Sequence, residues 1–240
     1  MSNSENPVSS NALFFGRTLA EYLKMFDLDI SGNTKIKILD CPSGPASFVA
    51  EATRQGIEVV GCDPVYSENE AALRALGTSG VESCIKICQS YSQYLSEKFY
   101  PSLQSLESYS QSALQLFLED YEAGIKEGRY VKASLPTLPF ADASFNITLS
   151  ANFLFVYFFQ SEETALRDYE FHLSSILELM RVSQQEVRIF PFPNFEGLAQ
   201  SYAQQIISEL EARQIKVEIK PVEYEVMKGG NLMLRLLCEN

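Results

Sequence analysis

The amino-acid sequence predicts an α/β fold: a mostly parallel seven-stranded sheet that ends in an antiparallel C-terminal hairpin and carries a helical insertion after its second strand. Three observations lead there. Lys35 to Asp63, KIKILDCPSGPASFVAEATRQGIEVVGCD, reads as strand, tight turn, helix and strand. Strand-like and helix-like runs then alternate, as a parallel sheet with crossover helices requires. The last stretch, KVEIKPVEYEVMKGGNLMLRLLC, reads as two long strands joined around Gly229-Gly230-Asn231, a hairpin signal.

In chain order, residues 1 to 8 are polar and read as a frayed end. From Ser9 the spacing of Leu13, Phe14, Leu19, Tyr22, Leu23 and Phe26 predicts an amphipathic helix over 9–27, kinked near Gly16, with Arg17 just beyond the glycine. The first strand (Ile36, Ile38, Leu39) has the near-continuous apolar character of a strand covered on both faces, and it ends at Asp40. In the turn Cys41 to Ala46, prolines fix φ and Gly44 allows the backbone to approach a ligand closely, before a helix opens at about Ser47. The second strand, Ile57 to Cys62, stops at Asp63, about where an acid after a glycine turn meets ribose hydroxyls in nucleotide-binding βαβ units. An adenosine-containing ligand is therefore expected.

After Asp63 a tract over about 66–128 lacks strand alternation and is read as two or three helices forming a lid. Leu103, Leu106, Leu114, Phe117, Leu118 and Tyr121 mark one of them, with Gly124 and Gly128 at its end; a purely structural embellishment is the alternative reading of the tract. Arg129 to Ala133 is a short strand, Ser134 to Phe140 a proline-held loop, and Phe145 to Ser150 another buried strand. The aromatic run Phe153 to Phe159 serves either a pocket wall or the core. Glu162 to Arg181 predicts a helix with Leu166, Tyr169, Leu173, Ile176, Leu177 and Met180 on its apolar face. A strand Glu186 to Phe190, the rigid Pro191-Phe192-Pro193 and a helix from about Gly197 to Arg213 follow.

The chain of 240 residues fits one domain, 1–240. A net charge of −12, with no stripe of the 19 Lys and Arg, disfavours nucleic acid and anionic membrane as partners and leaves a small-molecule substrate. Five cysteines without a CxxC pair are expected to be free thiols of a reducing cytosol, and Cys84 and Cys88, one helical turn apart, to pack in the core rather than bind metal. The polar start and the lack of an apolar run of ~18 residues predict a cytoplasmic protein.

The order strand-Asp40-turn-Gly44-helix-strand-Asp63, then ASLPTLPFADASFNITLS, then a helix ending in Glu178-Leu179-Met180-Arg181-Val182 before a strand, resembles the class I S-adenosylmethionine-dependent methyltransferases, whose fold is Rossmann-like. The likeness extends to a narrower bacterial group through Gly16-Arg17-Thr18, Gly44-Pro45-Ala46-Ser47-Phe48, Cys62-Asp63-Pro64-Val65-Tyr66, Glu170-Phe171-His172, Glu186 to Pro191 and Gly229 to Leu234. The resemblance implies S-adenosyl-L-methionine as the cofactor. It places Asp40 and the backbone of Pro42 to Gly44 by the methionine amino group and the sugar, and Asp63, followed by Pro64, on the two ribose hydroxyls. Ser134 and Leu135 flank the adenine, and Asn152 lies beside the sulfonium. Arg17 is either the partner of the methionine carboxylate or a plain surface arginine. The pattern departs from the family at Ser134, where many relatives have Asp, and in a turn that keeps one glycine between two prolines.

Methyl transfer from a sulfonium is an in-line displacement accelerated by positioning and exclusion of water, so a dedicated base is optional. Tyr66 and Tyr157 are the candidates for orienting or deprotonating an acceptor, whereas the one histidine, His172, is read as structural. Two other functions stay open: a non-catalytic nucleotide-binding or scaffold relative, and a dinucleotide-dependent oxidoreductase, which the absent GxGxxG disfavours.

Overall fold

The protein is represented by a computed structural model that describes residues 13–30, 32, 35–156, 162–193 and 198–238. Its sheet contains β1 (Lys37–Asp40), β2 (Glu58–Asp63), β3 (Tyr130–Lys132), β4 (Phe145–Ala151), β5 (Ser183–Phe192), β6 (Lys216–Pro221) and β7 (Leu232–Leu237) in the order β3-β2-β1-β4-β5-β7-β6. The first five run parallel, and β7 is antiparallel to both its neighbours. This is the mostly parallel Rossmann-like sheet with a terminal antiparallel pair expected from the sequence. Adjacent residues of β1 show why the strand is apolar throughout: Ile38 joins one core and Leu39 the other, one on each face of the sheet.

Helices α1 (Leu19–Met25), α2 (Phe48–Arg54), α3 (Glu70–Ser90) and α4 (Leu103–Lys126) contribute to the core on the Ile38 face. On the Leu39 face lie α5 (Glu162–Val182) and α6 (Leu198–Ala212). Among the described side chains of α5, which exclude Leu166, those completely buried are His172, Ser175, Ile176, Leu179 and Val182, whereas Tyr169, Leu173, Leu177 and Met180 are only partly buried. The inner face is therefore rotated from the predicted one, because His172 and Ser175 are polar residues that the hydrophobic spacing does not count.

The N-terminal helix is shorter than the predicted 9–27, of which residues 9–12 lie outside the described ones. It begins only at Leu19, where Thr18 and Glu21 form a capping box, with the Thr18 N–H donating to Glu21 Oε2 at 2.7 Å. Ahead of it the chain is extended against the Cys41–Ala46 turn. A Cβ at Gly16 would overlap the Pro45 carbonyl, and Ser47 N donates to Arg17 O at 3.1 Å.

The insertion divides into two parts. Helix α4 places Leu106, Leu114, Phe117, Leu118 and Tyr121 in the same core as Phe48 and Val49, so it acts as the crossover between β2 and β3. Helix α3 packs beside it with Leu73 and Cys88 in that core, and the short turn Ser92–Tyr94 follows with no buried residue. Helix α3 runs unbroken through Gly77 and Gly80, although glycine disfavours a helix interior, because each allows a close approach. A Cβ on Gly77 would meet the Leu114 side chain, and one on Gly80 would overlap the Phe14 carbonyl. Gly124 likewise lies inside α4 against the Tyr130 ring, and it is Gly128, at φ +76°, that follows the helix end.

Strand β5 starts directly after α5 and continues through Pro191 to Phe192, longer than Glu186 to Phe190. The predicted tight hairpin is instead two strands paired as far as Pro221↔Leu232, with 222–231 leaving the sheet between them. That excursion is tied to the insertion, since Ser96 N donates to Val226 O and Lys228 N to Tyr94 O, both at 2.8 Å.

Substitution of the two helical glycines should separate these contacts. Gly80→Ala meets backbone and is expected to cost about 3 kcal/mol, while Gly77→Ala meets a flexible leucine and should cost about 1 kcal/mol or less after the gain in helix propensity. Urea unfolding of the two variants checks the order.

Candidate active site

A cavity of about 450 Å³ opens at the C-terminal ends of β1, β2, β4 and β5. It spans the point between β1 and β4 where strand order reverses, the place at which open α/β sheets bind ligands. Of the residues singled out in the sequence, Arg17, Pro42, Gly44, Asp63, Pro64, Ser134, Leu135 and Asn152 line it. Asp40 and Tyr66 lie behind the lining, and Tyr157 falls outside the described residues.

The turn after β1 is shaped by contacts from every side. Ser43 N donates to Cys62 O at 2.9 Å, Gly44 N to Asp63 Oδ2 at 3.0 Å, and the Tyr66 hydroxyl to Gly44 O at 2.5 Å. Tyr66 is buried, stacked on Phe117, and so holds the turn from beneath instead of projecting into the cavity. Gly44 has φ +54°, with no atom within 4 Å of where a Cβ would stand. Here the glycine supplies backbone conformation and open space together.

Two carboxyls lie at the strand ends. Asp63 accepts from Gly44 N and, through Oδ1, from Val65 N at 3.1 Å. Burial pushes its pKa up to about 6 despite these bonds. Asp40 is completely buried: Oδ2 accepts from the Tyr22 hydroxyl at 2.8 Å and from Ser43 Oγ at 2.6 Å, while Oδ1 has no partner. Burial raises its pKa to about 7; the bonds from Ser43 and Tyr22 work against the shift, and the Asp63 charge adds to it.

Arg17 also lines the cavity, 6% exposed, its guanidinium 4.1 Å from the Phe15 ring centroid and Nε 3.4 Å from Glu21 Oε1. Neither Nε nor Nη1 has a hydrogen-bond partner. Burial works against its charge, but Tyr224, Tyr100, Glu21 and Cys84 around it more than offset that, so it stays a cation. Glu21, itself inaccessible, accepts from the hydroxyls of Tyr100 and Tyr224, the latter at 3.2 Å.

Sequence reasoning expected the insertion to cover the site without naming the α3 residues that line it (Cys84, Ile87, Cys88), and it missed the wall supplied by the 222–231 excursion (Tyr224, Val226, Met227, Gly230). Gly77 and Gly80 on α3 were the available signal, marking a helix pressed against other backbone. Cys84 and Cys88 thus border the cavity, and all five cysteines are free thiols.

Ser134 and Leu135 belong to a loop anchored by α5: Leu138 N donates to Glu178 Oε1 at 2.6 Å, and Arg181 Nη1 to Phe140 O at 2.9 Å. Asn152, at φ +51°, donates its N–H to Phe190 O at 2.6 Å and its side-chain amide to Met25 Sδ at 3.8 Å. His172 is inaccessible and accepts from Phe155 N at Nε2, 3.1 Å away, a structural role that fixes the chain beyond β4.

No family model matches the chain. Among curated proteins, Uncharacterized protein MJ0045 of Methanocaldococcus jannaschii is 30% identical over 234 residues, 93% of this chain and 95% of that protein. The chain belongs to the family of that protein. Among solved structures, magnesium protoporphyrin IX methyltransferase of Synechocystis PCC 6803 with bound SAM is similar over 100% of this chain and 87% of its own, at 11% identity and a TM-score of 0.46. A SAM-dependent methyltransferase from Aquifex aeolicus covers 90% of this chain and 91% of its own, at 13% identity and a TM-score of 0.41.

The raised pKa of Asp40 has a measurable consequence. Between pH 4 and 7 the folded protein keeps a proton that the unfolded chain has released, so this carboxyl's contribution to stability, full below about 4, is lost as pH rises through about 7. Asp40→Asn removes the titration. Its stability relative to wild type is expected to increase across that window by up to about 4 kcal/mol and to level off above it, measured by urea unfolding at stepped pH.

Proposed function

We propose that this protein is an S-adenosylmethionine-dependent methyltransferase acting on a small molecule. The observation that carries the proposal is a carboxylate and a buried guanidinium lining one cavity at the sheet's switch point: Asp63 at the end of β2 and Arg17, ion-paired with Glu21, from the N-terminal segment. These charges fit a ligand with a ribose at one end and an amino-acid carboxylate at the other.

Asp63 receives the two ribose hydroxyls on lone pairs left beside its backbone donors, and the Arg17 cation, with Nε toward Glu21, supplies the positive charge for the carboxylate. Ser134 and Leu135 border the adenine, with Pro42, Gly44 and Pro64 forming the floor. The unpartnered Asp40 Oδ1 beneath Ser43 supplies a negative potential toward the amino group. Asn152, its amide nitrogen on Met25, offers a carbonyl to the methyl region; Tyr157, outside the described residues, stays the sequence's candidate for orienting the acceptor. When bound, the donor supplies an electrophilic methyl on a sulfonium; the chain's own part is to orient the acceptor in line with it and to exclude water.

Isothermal titration with S-adenosylhomocysteine tests this. Wild type is expected to bind; Asp63→Ala and Arg17→Ala are each expected to weaken binding by about tenfold or more, as loss of charge-assisted hydrogen bonds does. No binding by wild type, or unchanged affinity in Asp63→Ala, overturns the proposal. Affinity should fall as pH drops through about 7, where Asp40 takes up a proton, and further through about 6, where Asp63 does; the second fall should be absent from Asp63→Asn.

A further inference from the structure

Arg17 and Glu21 form an ion pair without a hydrogen bond. Nε stands 3.4 Å from Oε1, but neither Nε nor Nη1 has a hydrogen-bond partner. The cause lies in the carboxylate, which other donors already occupy. Oε2 accepts from Thr18 N at 2.7 Å and from Thr18 Oγ1 at 2.9 Å, and Oε1 accepts from the Tyr100 hydroxyl. With its one proton on Oε1, Tyr100 is the acceptor in its 2.7 Å contact with the Tyr224 hydroxyl, which also reaches Oε1 at 3.2 Å. A carboxylate has about four lone-pair sites, and this set of donors accounts for them.

Charge and ring faces therefore hold the guanidinium: its carbon lies 4.1 Å from the Phe15 ring centroid and 6.0 Å from that of Tyr224. An arginine bonded fork to fork with a carboxylate is a closed pair, and a second carboxylate binds it only by breaking those bonds. An arginine paired by charge alone keeps its hydrogen bonds for an anion entering the cavity it lines. The Tyr100 hydroxyl separates these two situations. Tyr100 does not itself line the cavity, and edge contacts with Phe99, Tyr109 and Tyr224, at centroid distances of 4.9, 5.7 and 5.9 Å, fix its ring independently of the hydroxyl.

We propose, on the reading above in which the donor's carboxylate meets Arg17, that Tyr100 is a positioning residue: its hydroxyl occupies Glu21 Oε1 and so keeps the guanidinium's hydrogen bonds for the donor. The insertion thereby sets how strongly the cavity distinguishes an adenosine ligand that carries an amino-acid carboxylate from one that lacks it. Without the hydroxyl, Oε1 is open to Nε, and Glu21 competes with the ligand for the same cation.

The test is titration calorimetry on the full chain with S-adenosylhomocysteine and with its decarboxylated counterpart, 5′-S-(3-aminopropyl)-5′-thioadenosine, which keeps the adenosine, the thioether and the amine. Wild type is expected to prefer S-adenosylhomocysteine by about tenfold or more. Tyr100→Phe retains the ring contacts; it should raise the S-adenosylhomocysteine Kd about tenfold and leave that of the decarboxylated ligand within about twofold. Adding Glu21→Gln to Tyr100→Phe removes the competing charge, and the preference should return to within about threefold of wild type. Wild type that binds neither ligand overturns the donor reading itself. Wild type that binds both alike shows that Arg17 does not read the carboxylate, which overturns this role while leaving an adenosine site. Tyr100→Phe that weakens both ligands equally, or neither, overturns the positioning role, as does a double variant in which the preference stays lost.

Discussion

A carboxylate without access to water, Glu21, determines how the segments outside the sheet meet. An ionised carboxylate so placed is tolerated only when hydrogen bonds and a counter-charge replace its hydration. Here Thr18 supplies its N–H and hydroxyl to Oε2, while Oε1 takes the hydroxyls of Tyr100 and Tyr224 and faces Arg17 Nε. Tyr100 comes from the insertion and Tyr224 from the excursion before β7, two segments more than a hundred residues apart in sequence. Burial holds both phenols well above their ordinary pKa, so they remain donors. One buried charge therefore gathers the N-terminal segment, the insertion and the terminal excursion around Arg17, and these same segments wall the cavity.

The turn after β1 follows the opposite logic. A glycine-rich turn reaches its conformation through backbone freedom, whereas this one has a single glycine and is held by its surroundings. Asp63 binds Gly44 N, Tyr66 binds Gly44 O, and the extended chain at Gly16 lies against Pro45. Each of those contacts uses a residue near the cavity, which is why Tyr66 serves the site from behind. The arrangement also concentrates two raised carboxyls, Asp40 and Asp63, under one open space, where pH will affect both stability and binding.

Much of the fold was legible because the signals are local. The apolar run of β1, the turn prolines and the acid closing β2 are consequences of strand and turn chemistry within a few residues. Boundaries failed where a distant partner decided them. The N-terminal pattern continues through residues 13–18, but that stretch is extended because the turn at Pro45 occupies the space a helix would need. The α5 face is rotated because His172 is buried to hold Phe155 N. Pro191 stays in β5, where the spacing suggested a break.

The sequence by itself determined the parallel α/β order, the antiparallel end, and the residues that line the cavity at the ends of β1 and β2, since these depend on periodicity and on side chains next to strand ends. Only the tertiary structure decided the opposite half. Cys84, Ile87, Tyr224 and Met227 line the cavity, and the stretch that follows α3 is bonded to the 222–231 excursion at Tyr94–Lys228 and Ser96–Val226; no periodicity within either segment encodes where two such segments will meet. It also moved Asp40 and Tyr66 from the surface of the site to its support, because each found a buried partner that only packing could bring within hydrogen-bonding distance.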